Sequence, residues 1–229
     1  MADKGDLLKL LYKRIIWILS AAVLCGCLFL TVAAAAQTEN TTEAALSAIE
    51  KRYSGKSFET LFYQISKLVA LDITEKASGK ASFSHPGKMR WEYLEPEKHE
   101  IITNGKSLWI YRPEENQVMQ GDAGSFFKTG AGGAFLSDIT LVRKNYIITT
   151  KDVTADYTEL DLVAKKETPD ISLIVIRVSK KTSDIVRIVT RNVYGDTTLF
   201  EFNDIQFKSV NPSRFEFTIP KGSHVVDIE

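Results

Sequence analysis

The chain has little of what most site chemistry requires. It holds two cysteines, Cys25 and Cys27, both within the first thirty residues. From residue 37 onward there is no thiol, which excludes a disulfide framework, a thiolate nucleophile and a cysteine-ligated metal in that part. Histidines number three, His85, His99 and His224, and none stands in the paired spacing of a zinc helix. Each reads as a surface or hydrogen-bonded histidine. Net charge is missing as well, since 29 Lys and Arg balance 29 Asp and Glu. The first 36 residues take Lys4, Lys9, Lys13 and Arg14 together with Asp3 and Asp6, leaving 25 basic and 27 acidic side chains. That balance argues against nucleic acid as a partner, which calls for a basic face.

Catalytic templates are absent too. Gly124-Ser125-Phe126 is not a nucleophile elbow, because Gly121 is misplaced and no strand is expected to lead into it. Gly130 to Gly133 has no G-K-[ST] after it and no strand before it, so it is no phosphate loop. Glu114-Glu115, Asp152 and Asp156 read as turn carboxylates. No enzyme, metal or cofactor is expected.

What is present begins with a leader. Lys9, Lys13 and Arg14 form a positive start, Ile15 to Val32 is uncharged and apolar, and Ala33 to Ala36 offers a small-residue cleavage site. Residues 1–36 are expected to be a removable signal peptide and 37–229 one domain. Two alternatives stay open: retention of the run as a membrane anchor, or lipidation at Cys27 within Leu24-Cys25-Gly26-Cys27.

The body then changes period. Asn40-Thr41-Thr42-Glu43 looks like a capping box, and Leu46, Ile49 and Tyr53 share one face of a short helix that must lie on something apolar. From Phe58 the alternation is that of strands. Phe58, Phe62 and Gln64 share a face, and Leu61, Tyr63 and Ile65 the other, which predicts cover on both sides for part of the strand's length. Met89, Trp91 and Tyr93 fall on one face between Pro86 and Pro96. Asn104-Gly105 predicts a type I′ hairpin. Gly121 to Asp138 interrupts the rhythm: a glycine-rich stretch that nevertheless carries Phe126, Phe127, Phe135 and Leu136. Such an apolar cluster predicts a lid packing over a cavity, against the plainer alternative of a helical patch on the core. Strands are expected again over 146–151, 158–164, 173–179, 185–191, 197–207 and 215–219. The fold class this implies is mainly β, an antiparallel open or half barrel with its short helices against one face.

Three pieces of this sequence, in order, carry a resemblance. Phe58-Glu59-Thr60-Leu61-Phe62-Tyr63-Gln64 is the first. Pro86-Gly87-Lys88-Met89-Arg90-Trp91-Glu92-Tyr93-Leu94-Glu95-Pro96, running on to Asn104-Gly105-Lys106-Ser107-Leu108-Trp109-Ile110-Tyr111, is the second. Asn211-Pro212-Ser213-Arg214-Phe215-Glu216-Phe217 with Pro220-Lys221-Gly222 is the third. Together they resemble the outer-membrane lipoprotein carrier family, the LolA-type periplasmic chaperones, over Thr42 to Asp227. The resemblance implies a half barrel with a hydrophobic cavity under lid helices, lined by Phe62, Phe83, Met89, Trp91, Tyr93, Leu108 and Ile110. It implies acylated lipoproteins as cargo, taken from an inner-membrane ABC release complex and handed to an outer-membrane acceptor, by a monomer in the periplasm. In the family an arginine just before the proline latches the lid through its backbone. This sequence has His85 there, so either the latch is looser and pH-sensitive or Arg90 or another residue takes the role. Met89 also departs from the family's usual large apolar residue.

Physically, a lipid-modified protein cannot cross water with its chains exposed, since each buried methylene is worth about 0.8 kcal/mol. A greasy curved sheet with a lid would be the host. The alternative is a periplasmic lipid- or lipoprotein-sensing module on the same scaffold, possibly membrane-anchored. A hydrolase using Ser125 is a distant third.

Overall fold

The computed structural model describes residues 40–129, 135–166 and 169–228, so the expected leader lies outside the described residues. The chain divides into two units, one ending at Thr41 and one running from Thr42 to Glu229. Every strand among the described residues belongs to the second unit.

A helix, α1, covers residues 40–53. Asn40 is already helical, so it is not the N-cap that the capping-box pattern suggested. Its apolar face is as expected: Leu46, Ile49 and Tyr53 are buried. Then come β1 (Ser57–Leu68), β2 (Ile73–Ser84), β3 (Lys88–Glu95), β4 (His99–Asn104), β5 (Ser107–Arg112) and β6 (Gln117–Asp122). Two helices interrupt, α2 (Ala123–Thr129) and α3 (Thr140–Asn145), with a 3-10 turn over 135–137 between them. β7 (Tyr146–Val153), β8 (Tyr157–Ala164), β9 (Leu173–Ser179), β10 (Ile185–Arg191), β11 (Thr197–Phe207) and β12 (His224–Asp227) complete the chain.

All twelve strands form one open sheet in the order β12-β6-β5-β4-β3-β2-β1-β11-β10-β9-β8-β7. Neighbours are antiparallel hairpins except where β1 meets β11, which closes the two halves on each other, and where β12 lies parallel to β6. Fold class is therefore as expected, mainly β and unclosed. Period-two alternation dictates which side is dry. On β3 the pattern buries Met89, Trp91 and Tyr93 and leaves Arg90 and Glu92 on the opposite face. On β9 it buries Ile174, Ile176 and Val178. These inner rows, with α1 and α3 over them, make one hydrophobic cluster.

Three expectations need correction. No strand forms over 215–219. Pro212–Phe215 is instead a 3-10 turn, started by the Asn211 side chain accepting from Ser213 N–H, with Pro212 in its first position. Beyond it, Phe217 packs from outside against Trp109 and Tyr111, at ring distances of 6.1 and 5.4 Å. The Asn104-Gly105 hairpin exists but not as type I′, for only Gly105 has a positive φ, and the Asn104 side chain accepts from Lys106 and Ser107 N–H. Finally, β1 is covered on its inner side, whereas on the other Leu61 is exposed and Tyr63 and Ile65 are half-buried.

Candidate functional site

The inner face is floored by aromatics that meet edge to face. Phe62 lies 4.8 Å from Trp91 and 4.9 Å from Tyr93, and Phe83 lies 5.6 Å from Trp91, by ring centroids. Register explains the meeting: Phe62 pairs with Gly79 and Gly79 with Tyr93, so the bare glycine lets the phenyl ring lean across to β3. The other half comes from β11, where Phe200 sits 5.2 Å from Trp91 and stacks with Phe202 at 6.2 Å. Sequence reading named the first half only. The signal for the second was available in the alternation of Phe200 with Phe202 and of Ile174 with Ile176.

Tyr93 Oη donates to Gln64 Oε1 at 2.8 Å, and the ring stacks on His99 at 4.0 Å. Burial pushes the Tyr93 phenol well above its ordinary range, so it stays a neutral donor.

Over the floor lies the segment between β6 and β7. Its Phe135, Leu136, Ile139 and Val142 are buried in the same cluster as Phe62, Phe83, Met89, Trp91 and Tyr93, and Phe126 and Phe127 rest half-buried against it. These side chains lie over the floor, where a hollow was expected. Leu108 and Ile110, expected to line it, stand outside this cluster: Leu108 is buried where α2 packs along β5, and Ile110 is half-buried. Register places both on the inner face, opposite Thr103 and Ile101, but with three strands between β5 and β1.

A strand does lead into Ser125, contrary to expectation, since β6 ends at Asp122. Its role is local. The Asp122 carboxylate accepts from Ser125 N–H at 2.9 Å and so caps α2.

Polar contacts hold the covering segment in place. His85 Nε2 is 2.9 Å from the carbonyl oxygen of Leu136, and because that oxygen only accepts, Nε2 carries the proton. Two residues on, Gly87 N–H donates to Ser137 O at 2.8 Å. Burial holds the His85 imidazole below its ordinary pKa, partly offset by the Leu136 hydrogen bond and the Asp138 carboxylate. Arg90 faces the other way: its guanidinium donates to the Arg214 carbonyl at 3.1 Å and pairs with Glu100. Among the described residues its hydrogen-bond and ion-pair partners lie on β3, β4 and the Pro212–Phe215 turn, whereas His85 bonds to the segment.

From the other side, Arg143 of α3 reaches two carboxylates of α1. Its Nε is 2.5 Å from Glu50 Oε1, and its two terminal nitrogens lie 2.7 and 2.8 Å from Glu43. Glu43 is thus an ion-pair partner, and the Arg143 guanidinium holds its carboxyl below the usual range. The helix α1 is itself fixed to the sheet. Ile185 N–H donates to Tyr53 Oη at 2.9 Å, and Arg52 Nε pairs with Asp184 at 2.8 Å. No cluster of metal-ligating side chains occurs among the described residues.

Comparison with known proteins points one way. The family model for the outer membrane lipoprotein carrier protein LolA matches residues 54–218. An outer-membrane lipoprotein carrier protein of Chromobacterium violaceum is 31% identical over 153 residues, spanning 66% of this chain and 73% of that one. Its counterpart from Coxiella burnetii is 25% identical over 193 residues, spanning 83% and 88%. Among solved structures, an uncharacterized conserved protein of Thermus thermophilus aligns with a TM-score of 0.55 over 82% of this chain and 99% of that one. At 12% identity this last likeness bears on fold alone.

Proposed function

We propose a specific carrier cycle from one premise: the chain belongs to the family of outer-membrane lipoprotein carrier proteins. A general lipoprotein-carrier role comes with that membership. The finer reading is that the acyl chains of a lipoprotein replace Phe135, Leu136 and Ile139 over the aromatic floor. Cargo would come from an inner-membrane ABC release complex and go to an outer-membrane acceptor, with the chain exported to the periplasm by residues 1–36. No helix among the described residues is long and apolar enough to cross a membrane.

The observation that carries this reading is the way the cover is attached. Phe135, Leu136 and Ile139 are buried like core residues, yet the turn bearing the first two is joined to the β2–β3 turn through exchangeable hydrogen bonds from His85 and Gly87. Burying each large apolar side chain is worth about 1.5–3 kcal/mol, so displacing three costs several kcal/mol. A long acyl chain entering the same place returns about 0.8 kcal/mol per methylene, which exceeds that cost. Lid and cargo therefore compete for one surface, and the lid weakens the net affinity enough for handover. The adaptable Met89 beside Trp91 suits chains that need only stay dry.

The test is native mass spectrometry of the protein isolated from cells, in wild-type form and with Leu136→Asp. Acylated protein bound to the wild type is the expected result. Recovery of neither acylated protein nor lipid under conditions that preserve complexes would refute the reading. Leu136→Asp should raise the bound fraction, because a carboxylate cannot occupy the floor and the lid stops competing.

A further inference from the structure

At the end of the sheet remote from His85, two hairpin tips stand side by side. The β1–β2 tip holds Val69 and Leu71, 60% and 66% exposed, and the β10–β11 tip holds Val193 and Tyr194, 57% and 73% exposed. They touch because β1 and β11 are neighbours: Val69 N–H donates to Asp196 Oδ1 at 2.8 Å, and a methyl group at Gly195 would lie 3.9 Å from Val69 Cγ2. Four large apolar side chains thus form one exposed patch, which in a water-soluble fold marks a contact surface.

Several backbone N–H groups of these tips are already bonded within the protein. Asn192 Oδ1 accepts from Tyr194 and Asp196 N–H, Gly195 N–H donates to Asn192 O, Asp72 N–H to Val69 O, and Val193 N–H to Pro169 O. Polar groups paired in this way can leave water without each losing a partner. One step behind the tips, Lys67 and Arg191 both pair with Thr197 in register, so they stand on one face of the sheet in one row. Both are exposed, and the acidic Asp196 beside them is engaged by the turn. Apolar tips with a tyrosine, followed by a row of cations, reproduce the depth order of a bilayer surface: acyl boundary first, phosphates next. A protein partner would need a concavity to receive two convex tips, whereas a fluid lipid surface needs none.

We propose that this rim is a membrane-contact surface, in which Val69, Leu71, Val193 and Tyr194 enter the headgroup region of an anionic bilayer and Lys67 and Arg191 meet its phosphates. The inference does not depend on which cargo the floor receives.

The test uses the full chain with Cys25→Ser and Cys27→Ser, carrying an environment-sensitive fluorophore on Ala70→Cys in one sample and on Ala155→Cys, at the opposite end of the strands, in another. Vesicles contain phosphatidylethanolamine and phosphatidylglycerol with brominated lipid. Expected are a blue shift and bromine quenching at position 70 and neither at 155. Adding Leu71→Asp with Tyr194→Asp should abolish the signal, and Lys67→Ala with Arg191→Ala should weaken it and flatten its salt dependence. No shift at position 70 overturns the proposal. So do equal shifts at both positions, which would mean adsorption through the leader, and quenching undiminished by Leu71→Asp with Tyr194→Asp. Circular dichroism of each variant establishes that the fold is retained.

Discussion

The phenyl ring of Phe62 occupies the space that a side chain at Gly79 would need. A Cβ there would come within 2.8 Å of Phe62 Cε1 and 2.0 Å of the Glu92 carbonyl oxygen. Gly79→Ala must therefore push β2 away from β3 and also displace the ring. The expected cost is about 1–3 kcal/mol, the usual range for overpacking. Urea denaturation measures it. Phe62→Ala should not rescue the variant, because the Glu92 backbone remains in the way. An unchanged midpoint in Gly79→Ala would mean that the aromatic floor is looser than the ring distances indicate.

His85→Leu removes the hydrogen bond to Leu136 and leaves that carbonyl without its partner. One such bond contributes about 0.5–1.5 kcal/mol, equivalent to a roughly 2- to 12-fold shift of the lid toward the open form. Cargo should consequently stay longer on the variant. Release of acylated protein to a detergent or vesicle acceptor, followed over time, reads this directly. Retention equal to wild type would remove His85 from the role of latch.

The same histidine sets a pH dependence whose sign follows from its surroundings. In the closed lid, burial lowers its pKa below the ordinary 6.5. In an open lid the ring is in water and titrates near about 6.5. Protons therefore bind the open form preferentially. The closed lid has its full advantage above about pH 6.5 and loses it progressively as pH falls from there through the lowered value. The Asp138 carboxylate beside the ring narrows the window without reversing it. Uptake of a fluorescent fatty-acyl probe should rise between about pH 7.5 and about pH 5.5 in wild type and stay flat in His85→Leu. An equal rise in both would assign the effect to other groups.

Much of this arrangement was legible before the structure, and the reasons are specific. Met89, Trp91 and Tyr93 alternate strictly with charged residues, so their common face was certain to be dry. Phe135 and Leu136 follow a glycine-rich stretch, where only packing onto something apolar accounts for them. His85 could be placed opposite the lid through the family resemblance alone, since nothing in local spacing points a histidine at a carbonyl 51 residues away. Other features were hidden for the same physical reason, that their partners are remote. The parallel pairing of β12 with β6 joins segments about a hundred residues apart and leaves no turn signature. Phe215 and Phe217 alternate like a strand, but one ends a 3-10 turn and the other packs on Trp109. Glu43 looked like a capping residue because its true partner, Arg143, lies 100 residues further on.

That last pair leads to a prediction about the lid's second attachment. Of the two helices over the floor, α1 is fixed to β10 through Tyr53 and Ile185, whereas α3 is joined to α1 through Arg143 and its two carboxylates. Arg143→Met keeps the length of the side chain and removes the charge. Because Arg143 is partly exposed, its pairing with Glu50 should contribute less than about 1 kcal/mol to global stability. Its effect should be local instead. Hydrogen exchange of residues 139–145 should accelerate in Arg143→Met while the amides of α1 near Tyr53 keep their protection, since the contacts that hold α1 are untouched. Glu50→Gln should reproduce part of the effect, because Glu43 still pairs with Arg143, and adding it to Arg143→Met should change little, since its partner is already gone. Equal acceleration in both helices would mean that they move as one body, with lid opening then requiring the Tyr53 anchor to break as well.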